Sequence, residues 1–146
     1  MKISIHTDET ITETKIDITC EKLTPEIEKV LSMLRILDMK LTGQKNNEIF
    51  ILDACEILYI DSVDKKTFLY TKMDVYESNL RLYELEEQLS KTEFFRASKS
   101  IILNLKQIAS LRADFDGKIK VTMTNGEKRI VSRQYARNLK QRLGVV

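Results

Sequence analysis

The side chains best suited to chemistry lie in one polar and basic segment, residues 94–105. Two phenylalanines open this segment and an apolar stretch of strand character closes it. Between them lie four hydrogen-bond donors: Arg96, Ser98, Lys99 and Ser100. A loop anchored on both sides can be held rigidly and still present donors outward, which is what contact with a nucleic acid requires. The phenylalanines themselves are expected to be core residues.

No set of residues has the types and spacing of a catalytic or metal site. His6 is the only histidine, and Cys20 and Cys55 lie far apart without a CxxC spacing. The sequence also has no Gly-rich phosphate loop and no Ser/His/Asp set. We therefore expect two reduced thiols, an ordinary strand histidine, no enzymatic activity, no cofactor and no metal.

The charges are distributed very unevenly along the chain. Met1–Ser90 contains 11 Lys and Arg against 18 Asp and Glu, whereas Lys91–Val146 contains 13 against 4. A difference of this size between two parts of a short chain indicates a face that binds a polyanion. The alternative is that the opposite charges fold next to one another and neutralise each other.

The length of the chain allows one compact domain or a small domain with an extension. With 146 residues, of which 42% are hydrophobic and 32% charged, it can bury a core without disulfides or metals. No apolar run is long enough to span a membrane, and the amino terminus has no signal-peptide pattern. We therefore expect a cytoplasmic protein.

The first part of the chain predicts strands followed by an amphipathic helix. Isoleucines alternate with polar residues over residues 2–20, which is typical of one or two strands or a hairpin. Thr24 is a suitable N-cap with Pro25 at the first helical position, and Gly43 is the predicted stop. The apolar stripe of this helix consists of Ile27, Val30, Leu31, Leu34, Leu37 and Leu41. Thr42–Asn47 is polar, so we place a boundary near residue 45.

The rest of the chain predicts short strands and two more helices. Strands are expected at residues 49–52, 57–60, 67–71, 94–95, 101–105, 118–124 and 130–131, with a polar loop at 61–66. Leu82, Leu85 and Leu89 have the spacing of a short helix. Asn125-Gly126 is a strong hairpin signal. Ser132 is the expected start of a last helix whose inner face is Tyr135, Leu139 and Leu143 and whose end is Gly144.

These residues, in this order and at this spacing, resemble the LytTR DNA-binding domain. The resemblance rests on Phe94–Asn104 with Ile108, Thr124–Glu127, Val131–Tyr135 with Leu139 and Leu143, Ile57–Ser62 and Leu85–Leu89. It implies a mostly antiparallel β fold that reads DNA through loops, with side chains inserted into successive major grooves. The upstream part does not resemble a receiver domain, so the chain resembles the stand-alone members.

The resemblance also implies which residues contact DNA. The base-contacting positions correspond to Lys66, Thr67, Ser98, Lys99 and Arg133. Arg133 is the closest match, and an arginine can donate two hydrogen bonds to guanine O6 and N7. The residues expected at phosphates are Arg96, Ser100, Lys128, Arg129 and Arg137.

The helix of the first part has two possible roles. Its apolar residues Ile27, Leu31, Leu34 and Leu41 either pack against a second copy or fold back onto the same chain. A homodimer would agree with the repeated half-sites typical of the family. The resemblance alone also implies a small membrane protein as a possible partner.

The sequence thus predicts an α+β chain that is mainly β. Residues 1–44 are a strand-and-helix arm and residues 45–146 a LytTR-like domain that binds double-stranded DNA sequence-specifically to regulate transcription. The alternative is a protein-interaction module that binds nucleic acid only non-specifically. RNA binding is disfavoured because no aromatic pair of the RNA-recognition type is present on a strand.

Overall fold

The computed structural model describes residues 1–145. Within this range the chain forms three α-helices and ten strands. The helices are α1 (Pro25–Leu37), α2 (Leu82–Gln88) and α3 (Arg133–Leu143). The strands are β1 (Lys40–Lys45), β2 (Glu48–Asp53), β3 (Tyr59–Val63), β4 (Lys66–Tyr70), β5 (Val75–Ser78), β6 (Phe94–Arg96), β7 (Ile101–Asn104), β8 (Ile108–Ala113), β9 (Ile119–Met123) and β10 (Lys128–Val131).

The strands form two antiparallel sheets. The larger sheet has the order β2-β1-β5-β4-β3-β7-β6, and the smaller has the order β10-β9-β8. Most connections are short hairpins, which antiparallel neighbours allow and parallel ones do not. The prediction of a mainly β, antiparallel fold is confirmed.

Each face of the larger sheet contributes to its own hydrophobic core. One face packs under α1 and α2, with Ile36, Leu41, Leu69, Leu85 and Ile102 among its buried residues. The opposite face of β3, β7 and β6 packs against the smaller sheet and α3 through residues such as Tyr59, Phe95, Leu103, Val121 and Leu139. The central strands are therefore buried on both faces.

The prediction of strands over residues 2–20 is wrong. The structure contains no strand before Lys40, and Ile3 and Ile5 are 80% and 84% exposed. A strand needs a partner for its backbone hydrogen bonds and a surface for its apolar side. Alternation alone indicated both, but the described chain provides no partner strand at this position.

The predicted extension of the first helix to Gly43 is also wrong. The helix begins as expected, with the Ile27 amide donating to the hydroxyl of Thr24 at 3.3 Å, but it ends at Leu37. Leu41 and Gly43 lie instead in β1. Leu41 is buried in the core at 3% exposure, so it is not part of an exposed helix face. A methyl group on Gly43 would approach the Cβ of Tyr76 to 2.5 Å, which explains glycine at this point of the sheet.

The polar stretch around residue 45 is a hairpin turn. Strand β1 pairs with β2, and the two turn residues Asn46 and Asn47 have φ values of 52° and 65°. Positive φ at both central positions defines a type I′ turn, which asparagine tolerates. The expected boundary thus falls at the turn of the β1–β2 hairpin, and β1 also pairs with β5 of the same sheet. The division at residue 45 stays a prediction.

Candidate nucleic-acid interface

Three loops that are distant in sequence meet at one end of the fold. They are the β3–β4 turn, the β6–β7 loop (residues 97–100) and the entry to α3. The Ser62 amide donates to the Ser100 carbonyl at 2.8 Å, which joins the first two. The Ser132 amide donates to the Ala97 carbonyl at 2.9 Å, which joins the second and third. The segments predicted to read bases are therefore neighbours in the fold, and we call this region the three-loop end.

The β3–β4 turn is tighter than the predicted polar loop at residues 61–66. Strand β3 extends to Val63, and only Asp64 and Lys65 form the turn, with φ values of 50° and 66°. Lys65 and Lys66 are exposed at its tip. A two-residue turn between strands fixed in the sheet determines where the backbone of these lysines lies, while their side chains keep the flexibility of a four-carbon stem.

Thr67 differs from the other predicted base contacts. It lies in β4 opposite Ser62 and Ser78 of the neighbouring strands and is only 3% exposed. A side chain must reach the groove to contact a base edge. The burial of Thr67 therefore argues against the direct contact that the sequence predicted.

The β6–β7 loop is held by hydrogen bonds of its own residues. Arg96 donates from Nε to the Ser98 carbonyl and from Nη2 to the Lys99 carbonyl, each at 2.7 Å. Its Nη1 donates to Oε1 of Glu86 on α2 at 3.0 Å. The Ser100 amide donates to the Ser98 hydroxyl at 3.2 Å. Lys99 itself is exposed, whereas Ser98 and Ser100 are half-buried.

Arg133 begins α3 directly after Ser132 and is exposed. Its aliphatic chain lies against Gly117 in the β8–β9 connection. A Cβ added to Gly117 would come to 2.9 Å from Cδ and 3.0 Å from Cγ of Arg133. The glycine also has φ +77°, a conformation that other residues rarely adopt. Gly117 thus leaves the space that this arginine occupies.

Arg129 is occupied by contacts within the protein. Its guanidinium carbon lies 4.2 Å from the centre of the Tyr59 ring, which itself stacks on Tyr70 at 4.3 Å. Its Nη2 donates to Oε2 of Glu127 at 2.9 Å and also contacts the Tyr59 hydroxyl. Burial raises the pKa of the Tyr59 phenol, so that it stays protonated and donates to Glu127. Lys128 and Arg137, the other basic residues predicted at phosphates, are exposed.

The charged side chains of the two parts of the chain are mostly not paired with one another. Among residues 1–145 there are five salt bridges, and only Arg96–Glu86 joins the acidic part to the basic part. Lys99, Lys128, Arg133 and Arg137 have no salt-bridge partner in the same range. Salt bridges with the acidic part therefore do not neutralise these four cations.

The apolar face of α1 is covered in part by the chain that precedes it. Ile27, Leu31 and Leu34 are half-buried and line a groove together with Ile16, Ile18, Cys20 and Leu23. On another side of α1, the Ser32 hydroxyl donates to Oε1 of Glu93 at 2.8 Å, and both residues are buried. The helix is thus attached to the sheet, while part of its apolar face stays accessible.

Sequence reasoning missed two residues that shape the three-loop end. They are Glu86, on the outer face of α2, and Gly117, in the connection between β8 and β9; neither was singled out from the sequence. Their partners, Arg96 and Arg133, are ten and sixteen residues away. A glycine followed at a distance by an arginine carries no recognisable signal in one sequence.

The structure offers neither a metal centre nor a membrane span in the part of the chain that it describes. Across residues 1–145 no group of three or more His, Cys, Asp or Glu side chains is arranged to hold a metal ion. No helix in that range is both long enough and apolar enough to cross a bilayer.

Comparison with known proteins gives a family, similar regulators and a similar solved structure. The model of the LytTR DNA-binding domain family matches residues 47–144. Two HTH-type transcriptional regulators of Staphylococcus aureus, from strains NCTC 8325 and MSSA476, are each 29% identical over 147 residues and align over 99% of both chains. The fold is similar to the LytTr DNA-binding domain of a Bacillus cereus protein named as a methyl-accepting/DNA response regulator. That similarity has a TM-score of 0.68 and 27% identity, and it covers 72% of this chain and 96% of the other.

Proposed function

The chain belongs to the LytTR DNA-binding domain family, and on that basis we propose that it regulates transcription by binding double-stranded DNA sequence-specifically through the three-loop end. The observation that supports this most strongly is the pair of hydrogen bonds that joins the loops, from Ser62 to Ser100 and from Ser132 to Ala97. Base readout needs several side chains at fixed distances from one another. The regulator names of the similar staphylococcal proteins support the same function.

In this proposal the reading residues are Arg133, Lys99, Ser98 and Lys66. We assign Arg133 to guanine O6 and N7 in the major groove, since the residue is exposed and its guanidinium, which has no salt-bridge partner among residues 1–145, is available for two hydrogen bonds. Lys99 and Lys66 contribute point charges from the two neighbouring loops. Thr67 is omitted because it is buried.

Phosphate contacts come from exposed or half-buried polar residues of the basic part. Lys128 and Arg137 are exposed, and Ser100 lies in the β6–β7 loop. Each cation that neutralises a phosphate makes the slope of log affinity against log salt steeper by about 0.9, because affinity falls as salt rises. Arg129 contributes less, because Tyr59 and Glu127 already contact its guanidinium.

The remaining parts of the proposal concern assembly and location. We propose a homodimer formed by the accessible part of the α1 face around Ile27, Leu31 and Leu34, with one subunit for each DNA half-site. A DNA-binding regulator of this kind has no catalytic role and acts in the cytoplasm. Its resemblance to stand-alone members suggests a small membrane protein as a further partner.

Fluorescence anisotropy tests the function directly. The wild type and Arg133→Ala are titrated with DNA from upstream of the protein's own gene and with a scrambled duplex, across a salt series. We expect the substitution to cost about 1–3 kcal/mol on the upstream DNA and little on the scrambled duplex.

Arg142→Ala is the matched control. It removes the same charge from the opposite end of α3, where Arg142 donates to the Thr92 carbonyl at 2.9 Å. It should leave the preference for the upstream DNA unchanged. Equal binding of the wild type to both duplexes with a steep salt dependence would contradict the proposal and favour the interaction-module alternative.

A further inference from the structure

The residue that holds the β6–β7 loop in place is Arg96. Its side chain returns along its own loop and donates to the carbonyls of Ser98 and Lys99, each at 2.7 Å. On its other side it donates to Glu86 of α2 at 3.0 Å. The side chain is only 20% exposed. Three of its five N–H groups therefore point to acceptors within the protein.

The two carbonyls that accept these bonds flank a single residue. The Ser98 carbonyl belongs to the peptide plane that precedes the Cα of Lys99, and the Lys99 carbonyl belongs to the plane that follows it. The relative orientation of these two planes is set by φ and ψ of Lys99. One planar guanidinium that holds both carbonyls therefore fixes the direction in which the Lys99 side chain leaves the backbone.

Contacts with the rest of the protein hold both Arg96 and the β6–β7 loop in place. The Ala97 amide donates to the Ile101 carbonyl at 2.8 Å, so the loop is closed at its base. Glu86 is anchored on α2, whose residues Leu82 and Leu85 are buried in the core. The guanidinium is thus held between a helix and the loop, and its charge is balanced by Glu86.

We propose that Arg96 is a positioning residue for sequence readout: it orients Lys99 toward the DNA base edge instead of contacting a phosphate. This inference rests on the proposed function, because it assigns Lys99 a role in reading. It replaces the role at a phosphate that the sequence predicted for Arg96.

Arg96→Lys distinguishes a positioning role from a phosphate contact, because it keeps the positive charge and removes the guanidinium. A lysine is an effective phosphate contact, but a single ammonium cannot hold two carbonyls and a carboxylate in one plane as a guanidinium does. A phosphate contact would therefore survive this substitution, whereas the orientation of Lys99 would be lost.

The first measurement is made without DNA. Backbone ¹⁵N heteronuclear NOE values of Lys99 and Ser100 are compared with that of Ile102 in β7. In the wild type the loop amides should be as rigid as the strand, and in Arg96→Lys they should become clearly more mobile while Ile102 is unchanged. If the NOE values of Lys99 and Ser100 are unchanged in the variant, the positioning role is overturned, independently of the DNA-binding result.

The second measurement is DNA binding. In Arg96→Lys the preference for the upstream DNA over the scrambled duplex should fall about tenfold or more. The slope of log affinity against log salt should stay as in the wild type. Lys128→Gln is the contrasting control, because loss of a phosphate contact lowers that slope by about 0.9 and leaves the preference nearly intact. A variant Arg96→Lys that keeps the wild-type preference overturns the inference.

A double-mutant cycle with Lys99→Ala tests whether Arg96 acts through Lys99. On the Lys99→Ala background, Arg96→Lys should have little further effect on the preference, because the side chain it orients is absent. A full additional loss would show that Arg96 acts independently of Lys99. If the wild type itself shows no preference between the duplexes, the proposed function fails, and the NOE measurement still decides separately whether Arg96 orders the loop.

Discussion

At the scale of single residues, the role of an arginine in the basic part depends on whether neighbouring residues already occupy its guanidinium. Arg96, Arg129 and Arg133 are the same residue type in the basic part of the chain. The first is held by Glu86 and two carbonyls, the second stacks on Tyr59, and the third is exposed beside Gly117. Of these three arginines, only Arg133 has its guanidinium available for a base.

Gly117→Ala tests the contact that gives Arg133 its space. The new methyl group would lie 2.9 Å from Cδ of Arg133, so the arginine must move. We expect a loss of about 1 kcal/mol of stability from the positive φ and, in addition, a reduced preference for the upstream DNA in anisotropy titrations.

Gly126→Ala is the matched control for this substitution. Gly126 also has a positive φ, +88°, but no atom lies within 4 Å of its added Cβ. It should lose similar stability in urea titrations and keep the wild-type preference. If both variants keep the preference, the contact of Gly117 with Arg133 has no role in readout.

We predict that the half-buried carboxyl of Asp61 makes the stability of the protein depend on pH. Burial raises the pKa of this carboxyl in the folded protein, and the attraction of Arg129 opposes the shift only partly. The folded state therefore binds the proton more tightly than the unfolded state, so this group lowers stability as the pH rises through its raised pKa. Asp61→Asn should be more stable than the wild type at pH 7, and the difference should vanish as the pH falls below the ordinary carboxyl range. Urea unfolding from pH 3 to pH 7 measures it, and a constant difference would contradict the assignment.

At the scale of elements, the buried side chain of Asn104 connects the end of β7 to the segment that precedes β3. The side-chain amide of Asn104 donates to the Ile57 carbonyl at 2.9 Å, and its oxygen accepts from the Lys106 amide at 3.1 Å. Asn104 is 1% exposed, so no water replaces these bonds without rearrangement. This residue fixes where β7 ends and the next turn begins.

Asn104→Ala should lower the free energy of unfolding by about 1–3 kcal/mol, because the buried Ile57 carbonyl and the part-buried Lys106 amide both lose their partner. Chemical denaturation measures the change. Lys106→Ala removes an exposed side chain from the same turn and should change stability by less than about 0.5 kcal/mol. Equal effects of the two substitutions would mean that the hydrogen bonds of Asn104 contribute no net stability.

At the scale of the whole molecule, the acidic and basic parts both contribute strands to the larger sheet but differ in their surfaces. The three-loop end carries cations without salt-bridge partners among residues 1–145. The part around α1 instead carries exposed apolar residues, including Ile16, Ile18 and Leu23. This arrangement agrees with DNA binding at one place and self-association at another.

The proposed dimer predicts a specific effect of polar substitutions on α1. Ile27→Ser combined with Leu34→Ser should shift the chain from dimer to monomer in sedimentation velocity runs at micromolar concentration. Met33→Ser is the control, because Met33 is on the same helix, is 43% exposed and does not line the groove beside Ile27. A wild-type monomer over the whole concentration range would refute the dimer.

Local patterns in the sequence were sufficient for the elements that short-range interactions determine. The N-cap at Thr24, the helix between Leu82 and Leu89, the Asn125-Gly126 hairpin and the helix end at Gly144 all form as predicted. Each depends on residues within a few positions of one another. The order of several such signals also carried the resemblance to the family, which the comparisons confirmed.

Contacts between distant residues decided the rest. Leu41 continues a helical stripe in the sequence, yet pairing with β2 and burial against the sheet place it in a strand. The isoleucines of residues 2–20 alternate like a strand, yet the described chain offers no partner for them. The joining of the three loops and the occupation of Arg96 by Glu86 depend on long-range hydrogen bonds. Such bonds leave no periodic trace in the sequence, because their spacing is set by the fold and not by the repeat of one element.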